Sequence, residues 1–475
     1  MSQTRRTDSR GVPAVGHTTF RLRRNLAASL LTKLSVVGHR VVSVPLLIWF
    51  LGVDRYGDWI LLSTIPSWIS LASFSLGSVS SNVISLHASS GRIDVARQVY
   101  STTLFALAII FALGSVVVLA GVALLYASPL PGTAPRWADS GDELRAVALL
   151  SLSVLVGFFA EPFLSRLRAV GKADVGIVLS ALSPWIEIAC MIVAMALNLG
   201  LSGVAAAVFI GKVVFCAMAW LASRAAHPAI HFHVADVQPS MVPGLLRSGM
   251  AFQAFPLGQA LSNQALLLAV DAAMGATAVA VFATARTIAR LGIQLMELVT
   301  HSAWPEISLL IGSAQHAKAA MIHRMSAAAT IVIGCLAMVG VSIAGPALMY
   351  QWSLHTMNAS HALMALVGLS ILLHAMWIAS LTVQLAANEH EPVAARFVVG
   401  AALSAAACYP FAVAWGLYGA AASSLIVELV MIPYTLRRAL TVTQDSFGPF
   451  VGGLVPAMQA GLGSIVARRR QSLEA

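Results

Sequence analysis

Long apolar runs alternate with short polar breaks along most of the chain. A helix needs about 20 apolar residues to cross the hydrocarbon core of a bilayer. The runs meet that length and predict twelve helices, over 25–50, 56–86, 96–127, 143–168, 173–197, 203–224, 244–270, 276–299, 316–344, 359–386, 393–414 and 418–438. The second run is long and carries Pro66 and several serines, which predicts a bend. The connections are short apart from 128–142 and 225–243. A last stretch, 446–467, is weakly apolar and interrupted by Gly452, Gly453 and Pro456, the pattern of a surface-lying helix or a partial span. The expected fold class is an all-α polytopic membrane protein.

Composition agrees. Of 475 residues, 58% are hydrophobic and 10% are charged, against about 45–50% and about 25% in soluble domains. That excess excludes a soluble enzyme, a fibrous protein and a disordered chain. The balance of 29 basic to 19 acidic residues, a net +10, would suggest nucleic acid in a soluble protein. Here the basic residues gather in short loops between apolar runs, so the balance reads as the positive-inside rule and no nucleic acid is expected. With the N-terminus inside, 21 of the 29 fall in inner segments, 3 (Arg55, Arg136, Arg145) in outer ones, and 5 (Lys33, Arg40, Lys212, Arg286, Arg290) within spans. That asymmetry predicts both termini and the 225–243 segment in the cytoplasm. Residues 1–24 form a basic tail, and the first apolar run has no small-residue cleavage site, so it is expected to be retained as a helix. Cys190, Cys216, Cys335 and Cys408 lie inside apolar runs without paired spacing and read as buried free thiols.

The chain also repeats itself. A shift of 223 aligns Arg24 with Arg247, Leu51-Gly52 with Met274-Gly275, and Ser85-Leu86 with Ser308-Leu309. A shift of 216 aligns Gly200-Leu201-Ser202-Gly203 with Gly416-Leu417-Tyr418-Gly419. The matches keep their order, so helices 1–6 and 7–12 read as two parallel repeats, the layout of a transporter with its substrate site between the halves. The expected organisation is a cytoplasmic tail (1–24), a six-helix lobe (25–224), a cytoplasmic linker (225–243), a second six-helix lobe (244–438) and a C-terminal segment (439–475).

Charges inside a bilayer cost at least about 2.5–3.5 kcal/mol and face bundle interiors or wet cavities. Lys33 and Arg40, seven residues apart, share a face of helix 1. On helix 8, Arg286, Arg290 and Glu297 share a face with Gln294 close by, and helix 7 adds Gln253, Gln259, Asn263 and Gln264. A break at Trp304-Pro305 would bend the ends of that helix toward the site. Lys33, Arg40, Arg286, Arg290 and Asn263 are therefore candidates for a cationic substrate cavity, and arginine suits phosphate through its planar fork. Glu297, Glu187 and Glu428 are deep carboxylates and candidates for ion coupling, or charge partners. Glu187 can pair with Lys212, and Glu161 with Arg166 near the cytoplasmic edge. His227, His231 and His233 in the linker have zinc-compatible spacing but no cysteine nearby. No Walker-type phosphate loop, nucleophile elbow or zincin motif occurs, so neither catalysis nor a cofactor is expected.

Leu51-Gly52-Val53-Asp54-Arg55-Tyr56-Gly57-Asp58-Trp59 resembles the element after helix 1 in Wzx-type polysaccharide flippases. Gly91-Arg92 with Ala96-Arg97 resembles their next cytoplasmic loop. Phe282-Ala283-Thr284-Ala285-Arg286 and Trp304-Pro305-Glu306 resemble elements of their helix 8, and Gly416-Leu417-Tyr418-Gly419-Ala420-Ala421 one before the last core helix. The family sits in the multidrug/oligosaccharidyl-lipid/polysaccharide exporter superfamily, with drug antiporters. The resemblance implies a V-shaped, two-lobed, alternating-access transporter in the bacterial inner membrane. Its substrate would be undecaprenyl-pyrophosphate-linked oligosaccharide, with membrane lipid and other polysaccharide-assembly proteins as partners. A drug or cation antiporter of the same fold is the alternative. A membrane-embedded glycan polymerase or ligase would need a larger outer loop than 128–142 offers.

Overall fold

Hydrocarbon contains no water to satisfy backbone amides and carbonyls, so an apolar run must satisfy them internally, as a helix does. The computed structural model describes residues 15–127, 141–226, 229–456 and 459, and among these there are helices and turns but no strand. The chain begins with α1 (Val15–Leu51). The long second run is broken, as its proline and serines predict, into α2 (Val53–Leu62), α3 (Thr64–Ile69), a 3-10 turn and α4 (Leu76–Ser89), with Phe74 and Ser75 left-handed at the last break. There follow α5 (Ile93–Ala127), α6 (Gly141–Gly157), α7 (Ala160–Ala169), α8 (Ala173–Ala196) and α9 (Gly200–Ala226). The second half runs through α10 (Val242–Phe252), α11 (Ala254–Ala260), a π-helical turn (Leu261–Ala265), α12 (Leu266–Met274), α13 (Ala276–Gly312), α14 (His316–Trp352), α15 (His361–Ala386) and α16 (His390–Thr443). A short apolar helix, α17 (Phe447–Pro456), closes the described part.

Ten of these helical stretches are long and apolar enough to cross a membrane. One of the ten, α16, is two helices, because Gly416 (φ 60°, ψ −142°) turns the chain and Ser404 Oγ donates to the Ser423 carbonyl across the turn at 2.8 Å. The run from α11 to α12 is interrupted by its π turn, yet residues 254–274 still reach about 31 Å at about 1.5 Å per residue. Each of the twelve predicted spans thus has a helical counterpart.

The repeat is visible in backbone geometry. Gly52 (φ 78°, ψ 169°) and Gly275 (φ 85°, ψ 177°) sit 223 residues apart, each opening the next helix in a region of φ/ψ space that only glycine occupies comfortably. Left-handed residues recur at matching shifts: Gly91 with Ala314, Gly171 with Asn388, and Gly200 with Gly416. Helix starts recur too, Val53 with Ala276, Ile93 with His316, and Ala173 with His390.

Two compact units emerge from the packing, one comprising 1–46 and 65–252, the other 47–64 and 253–475. In the first, α1 is tied to α8 by Thr32 Oγ1 donating to the Ile177 carbonyl at 3.2 Å and by Trp185 Nε1 donating to Ser35 Oγ at 2.8 Å. The described part of the linker is anchored to α5. Arg97 Nε donates to Asp236 at 2.7 Å, the Gln238 amide donates to Thr102 Oγ1 at 2.9 Å, and Ile230 is buried beside Ile84, Val99 and Tyr100. In the second unit α2 packs on α13, burying Tyr56, Trp59, Leu61 and Leu62. Thr277 Oγ1 there donates to Asp54 Oδ1, and these two residues are themselves 223 apart. At the far end Arg324 holds Asp445 through two hydrogen bonds, of 2.6 and 2.9 Å, and Phe450 packs on the His323 ring, fixing α17 to the unit. Burial pushes the Asp445 carboxyl up, but its hydrogen bonds and the Arg324 charge outweigh that and hold it below its ordinary value. The remainder of the expected 446–467 stretch, beyond residue 456, lies largely outside the described residues.

Three local expectations change. Glu161 pairs with Arg168 at 2.6 Å, not with Arg166. At about 100° per residue, a spacing of seven returns to the same helix face and a spacing of five does not, so Arg166 points inward and stacks over Tyr100 at 5.5 Å. Pro305 does not break its helix: α13 continues to Gly312, the proline removing one amide donor from an otherwise intact ladder. Cys335 is exposed rather than buried, on α14.

The α2–α13 packing generates a test. A Cβ on Gly57 would lie 2.1 Å from the Ala276 carbonyl oxygen, a backbone atom with little room to retreat. Gly91, at φ +78°, has nothing within 4 Å of the same position, so alanine there costs only its left-handed strain, about 1–2 kcal/mol. Gly57→Ala should therefore lower the thermal midpoint of the purified protein well beyond Gly91→Ala. Equal midpoints would show that the backbone contact is dispensable.

Candidate functional site

Arg286 and Arg290 are one turn apart on α13, where like charges repel by about 0.2–0.5 kcal/mol even in an exposed helix. The second unit answers with a neutral acceptor. The π turn at 261–265 departs from the regular α ladder, and turns of this kind gather at functional positions. Arg286 Nη2 donates to the Ser262 carbonyl at 2.8 Å and to Asn263 Oδ1 at 3.0 Å, and Arg290 Nη2 donates to the same Asn263 oxygen. Asn263 Nδ2 in turn donates to Gln259 Oε1 at 3.0 Å, which sets the amide's orientation. The Arg286 guanidinium also lies over the buried Phe282 ring at 5.5 Å. Ser262 Oγ and Gln294 Oε1 are buried without a hydrogen-bond partner among the described residues.

A carboxylate lies within electrostatic range of Arg286, that of Glu428 on the second helix of α16. It accepts from Trp377 Nε1 at 2.5 Å and meets His374 Nδ1 at 3.2 Å, both on α15. The side chains of His374 and Glu428 are 14% and 13% exposed. Glu297 sits half-buried two turns beyond Arg290 on α13, its backbone carbonyl accepting from Thr300 Oγ1.

The first unit carries its own polar cluster. Lys212 Nζ donates to Glu187 Oε1 at 2.6 Å, and Ser183 Oγ donates to the same oxygen at 3.2 Å. His39 on α1 lies within electrostatic range of Glu187, Arg40 and Lys212. Arg40 is half-buried, its carbonyl accepting from Ser43 Oγ. The side chain of Lys33 lies outside the described residues. Asn263, Arg286 and Arg290 are thus brought into one cluster with Glu428 near it, while Arg40 and Glu187 belong to the first unit.

His374, Trp377 and the π turn were not expected from the sequence. The histidine could have been found by the rule that singled out Glu428, since it is a titratable residue inside an apolar run. In the linker, His231 and His233 place their rings 6.4 Å apart, and His233 Nδ1 accepts from the Ala235 amide. His227 lies outside the described residues. Among the described residues no group of three His, Cys, Asp or Glu side chains could hold a metal ion.

No protein-family model and no curated protein matches this sequence. Solved structures do match its fold. An inward-facing multidrug resistance MATE family transporter of the MOP superfamily aligns with a TM-score of 0.69 at 16% identity, over 87% of this chain and all of that one. An outward-facing MATE transporter of the same superfamily aligns at 0.61 and 14%, over 89% and 96%. A MOP superfamily transporter from Pyrococcus furiosus, described as having a binding pocket of reverse polarity that suggests a different function, aligns at 0.62 and 14%, over 90% and 96%. The chain has the MATE-like fold of these transporters, built of two lobes, all-helical among the described residues and with ten helical stretches long and apolar enough to cross a membrane.

The cluster in the first unit can be tested as a structural ion pair. Removing one member of a buried pair costs about 3–5 kcal/mol, whereas replacing both is often neutral. Lys212→Met and Glu187→Gln should each lower the thermal midpoint, and the double variant should regain most of the loss. A double variant as unstable as the sum of the singles would show that the two residues do not act as a pair.

Proposed function

We propose that the chain is a transporter that moves an anionic, phosphate-bearing substrate across the membrane. In this reading the substrate is an undecaprenyl-pyrophosphate-linked oligosaccharide of polysaccharide biosynthesis, carried from the inner to the outer leaflet of the bacterial inner membrane. The observation that carries the reading is the gathering of Arg286 and Arg290 on one neutral amide. Both bonds of Arg286 come from Nη2. A guanidinium has five N–H groups in a fixed fork, so its other edges can engage a phosphate while Nη2 holds the π turn. The motif resemblance to Wzx-type flippases supplies the lipid-linked sugar. Lys33 and Arg40 are proposed as further cations of the substrate path, and both termini are proposed to be cytoplasmic. No cofactor is required, and other polysaccharide-assembly proteins are the proposed partners.

A drug or cation antiporter is the second reading. Two observations favour it: the solved structures of like fold include multidrug transporters, and Glu428 provides a buried carboxylate beside His374.

The two readings separate on Arg286. Arg286→Ala should abolish surface glycan export without lowering protein level, and Arg286→Lys should retain part of it, since the charge remains and the fork does not. Under the antiporter reading the same variants would change resistance to cationic dyes and leave glycan export alone. Full export by the Arg40→Ala, Arg286→Ala double variant would remove the anionic reading. For orientation, cysteines placed at His233 and Ala138 in a cysteine-free background should be protected from and accessible to an impermeant external reagent, respectively. Labelling at 233 in intact cells would overturn the proposed topology.

A further inference from the structure

The two repeats place ionisable residues at matching positions and satisfy them in different ways. At the shift of 216 that relates the turns at Gly200 and Gly416, Lys212 corresponds to Glu428. At the shift of 220 that relates the starts of α6 and α15, Gly157 corresponds to Trp377. The contacts correspond as well: the Lys212 stem passes Gly157, whose added Cβ would meet it at 3.5 Å, and Glu428 receives the Trp377 indole N–H. In the first half the partner of Lys212 is a carboxylate at 2.6 Å, which makes an ion pair. In the second half the partner of Glu428 is an imidazole at 3.2 Å, a side chain of the type that serves as a proton switch in proteins.

We propose that His374 and Glu428 form a proton-binding pair that is loaded together with the anionic substrate at Arg286 and Arg290. This rests on the anionic reading of that arginine cluster. The ligand is a proton and not a hard cation. Trp377 Nε1 can only donate, and the imidazole offers nitrogen, whereas sodium-like and calcium-like ions seek a shell of several oxygens.

The coupling is electrostatic. With the site empty, Arg286 is within range of Glu428 and disfavours further positive charge beside it. A pyrophosphate at the guanidinium pair offsets that positive field, and the His374–Glu428 pair then takes up one proton from water. By linkage the proton must tighten anion binding by the same factor. Charged and titratable groups lie on each helix packed against α15. On α13 these are Arg286, Arg290, Glu297, His301 and Glu306. On α14 these are His316, Lys318, His323, Arg324, Cys335 and Tyr350; the buried His323 meets Ser380 Oγ of α15 through Nε2 at 3.0 Å, residues 325–349 contain no charge, and Cys335 is exposed. On α16, besides Glu428, there are His390, Glu391, Arg437 and Arg438 toward its ends, Tyr409 and Tyr418, Cys408, buried near Arg286, and Arg396, whose guanidinium stacks on Tyr434 at 3.8 Å. Of these groups Glu428 is the carboxylate within range of Arg286 and His374 is its imidazole partner, with Glu297, on the same helix as the two arginines, as the carboxylate to control for.

The test uses the full chain in nanodiscs and undecaprenyl-pyrophosphoryl-N-acetylglucosamine as probe, because its disubstituted pyrophosphate does not titrate near neutral pH. Binding should tighten on the order of tenfold between about pH 8 and about pH 6. In weakly buffered solution it should be accompanied by uptake of up to one proton per probe bound. Glu428→Gln and His374→Gln should each flatten the pH dependence and remove the proton uptake while the probe still binds. Glu297→Gln should leave both in place. Binding with the same affinity at every pH and without proton uptake would overturn the pair and leave the anionic reading standing. A probe that fails to bind the parent protein at any pH would overturn both. Proton uptake that survives in a folded Glu428→Gln, His374→Gln double variant would place the proton elsewhere and also defeat the proposal.

Discussion

In hydrocarbon an interrupted helix must find partners for the backbone groups it releases, and the interruptions at 74–75 and 261–265 are placed against close neighbours. The break at Phe74 and Ser75 brings the Phe74 carbonyl against α10 at Gly249, where even a Cβ would come within 1.9 Å of it. The π turn at 261–265 delivers the Ser262 carbonyl to Arg286. The first break depends on a close backbone approach that only glycine leaves room for, and the second is held by a charged side chain. An unpartnered buried carbonyl costs about 1–3 kcal/mol, so a buried cation that serves as its donor also offsets part of its own burial. The arginine cluster then follows from a structural need, and its capacity for a ligand comes from the donor edges that this need leaves over.

That double use limits what the site can tolerate. Asn263 accepts from both arginines while held by Gln259, so the amide sets the spacing of the two guanidinium groups. A carboxylate in its place would neutralise the charge that the site needs for an anion, and an apolar residue would remove the acceptor that the two cations share. Only a neutral acceptor holds them together with their charge intact. The same reasoning separates the two polar clusters. The first unit pairs Lys212 with Glu187, whereas the second gathers two like charges and places Glu428 at longer range.

Much of this architecture was legible because a bilayer makes strong demands on sequence. Span lengths follow from its thickness, which is why all twelve runs reappear as helices. The repeat was legible because glycine-only backbone conformations tie Gly52 and Gly275 to their residue type. Local pairing was harder. The partner of Glu161 depended on two residues of helical phase, and Pro305 looked like a break although one missing amide is tolerated where the rest of the ladder holds. The π turn left no mark in the sequence, since Leu261-Ser262-Asn263-Gln264-Ala265 reads as ordinary helix and its geometry depends on where Arg286 reaches it. His374 went unnoticed because its importance comes from Glu428, 54 residues away.

The repeat also explains where the two halves were free to diverge. Residues that set the backbone turn have kept their geometry across the shift, as Gly52 and Gly275 or Gly200 and Gly416 do. Charged residues inside the predicted spans have not kept theirs. At the shift of 223, Arg40 corresponds to Asn263, and at 216, Lys212 corresponds to Glu428. A turn is constrained by sterics alone, which act identically in both halves. A buried charge is constrained only by having a partner, and partner and charge can change together at little cost. Two copies of one helical frame can therefore hold opposite electrostatics at matching depths. An ion pair in one half and a titratable pair beside a cationic cluster in the other is one such outcome. It requires no departure from the shared backbone, and for that reason fold likeness to multidrug transporters constrains the architecture of this chain far more tightly than the charge of what it carries.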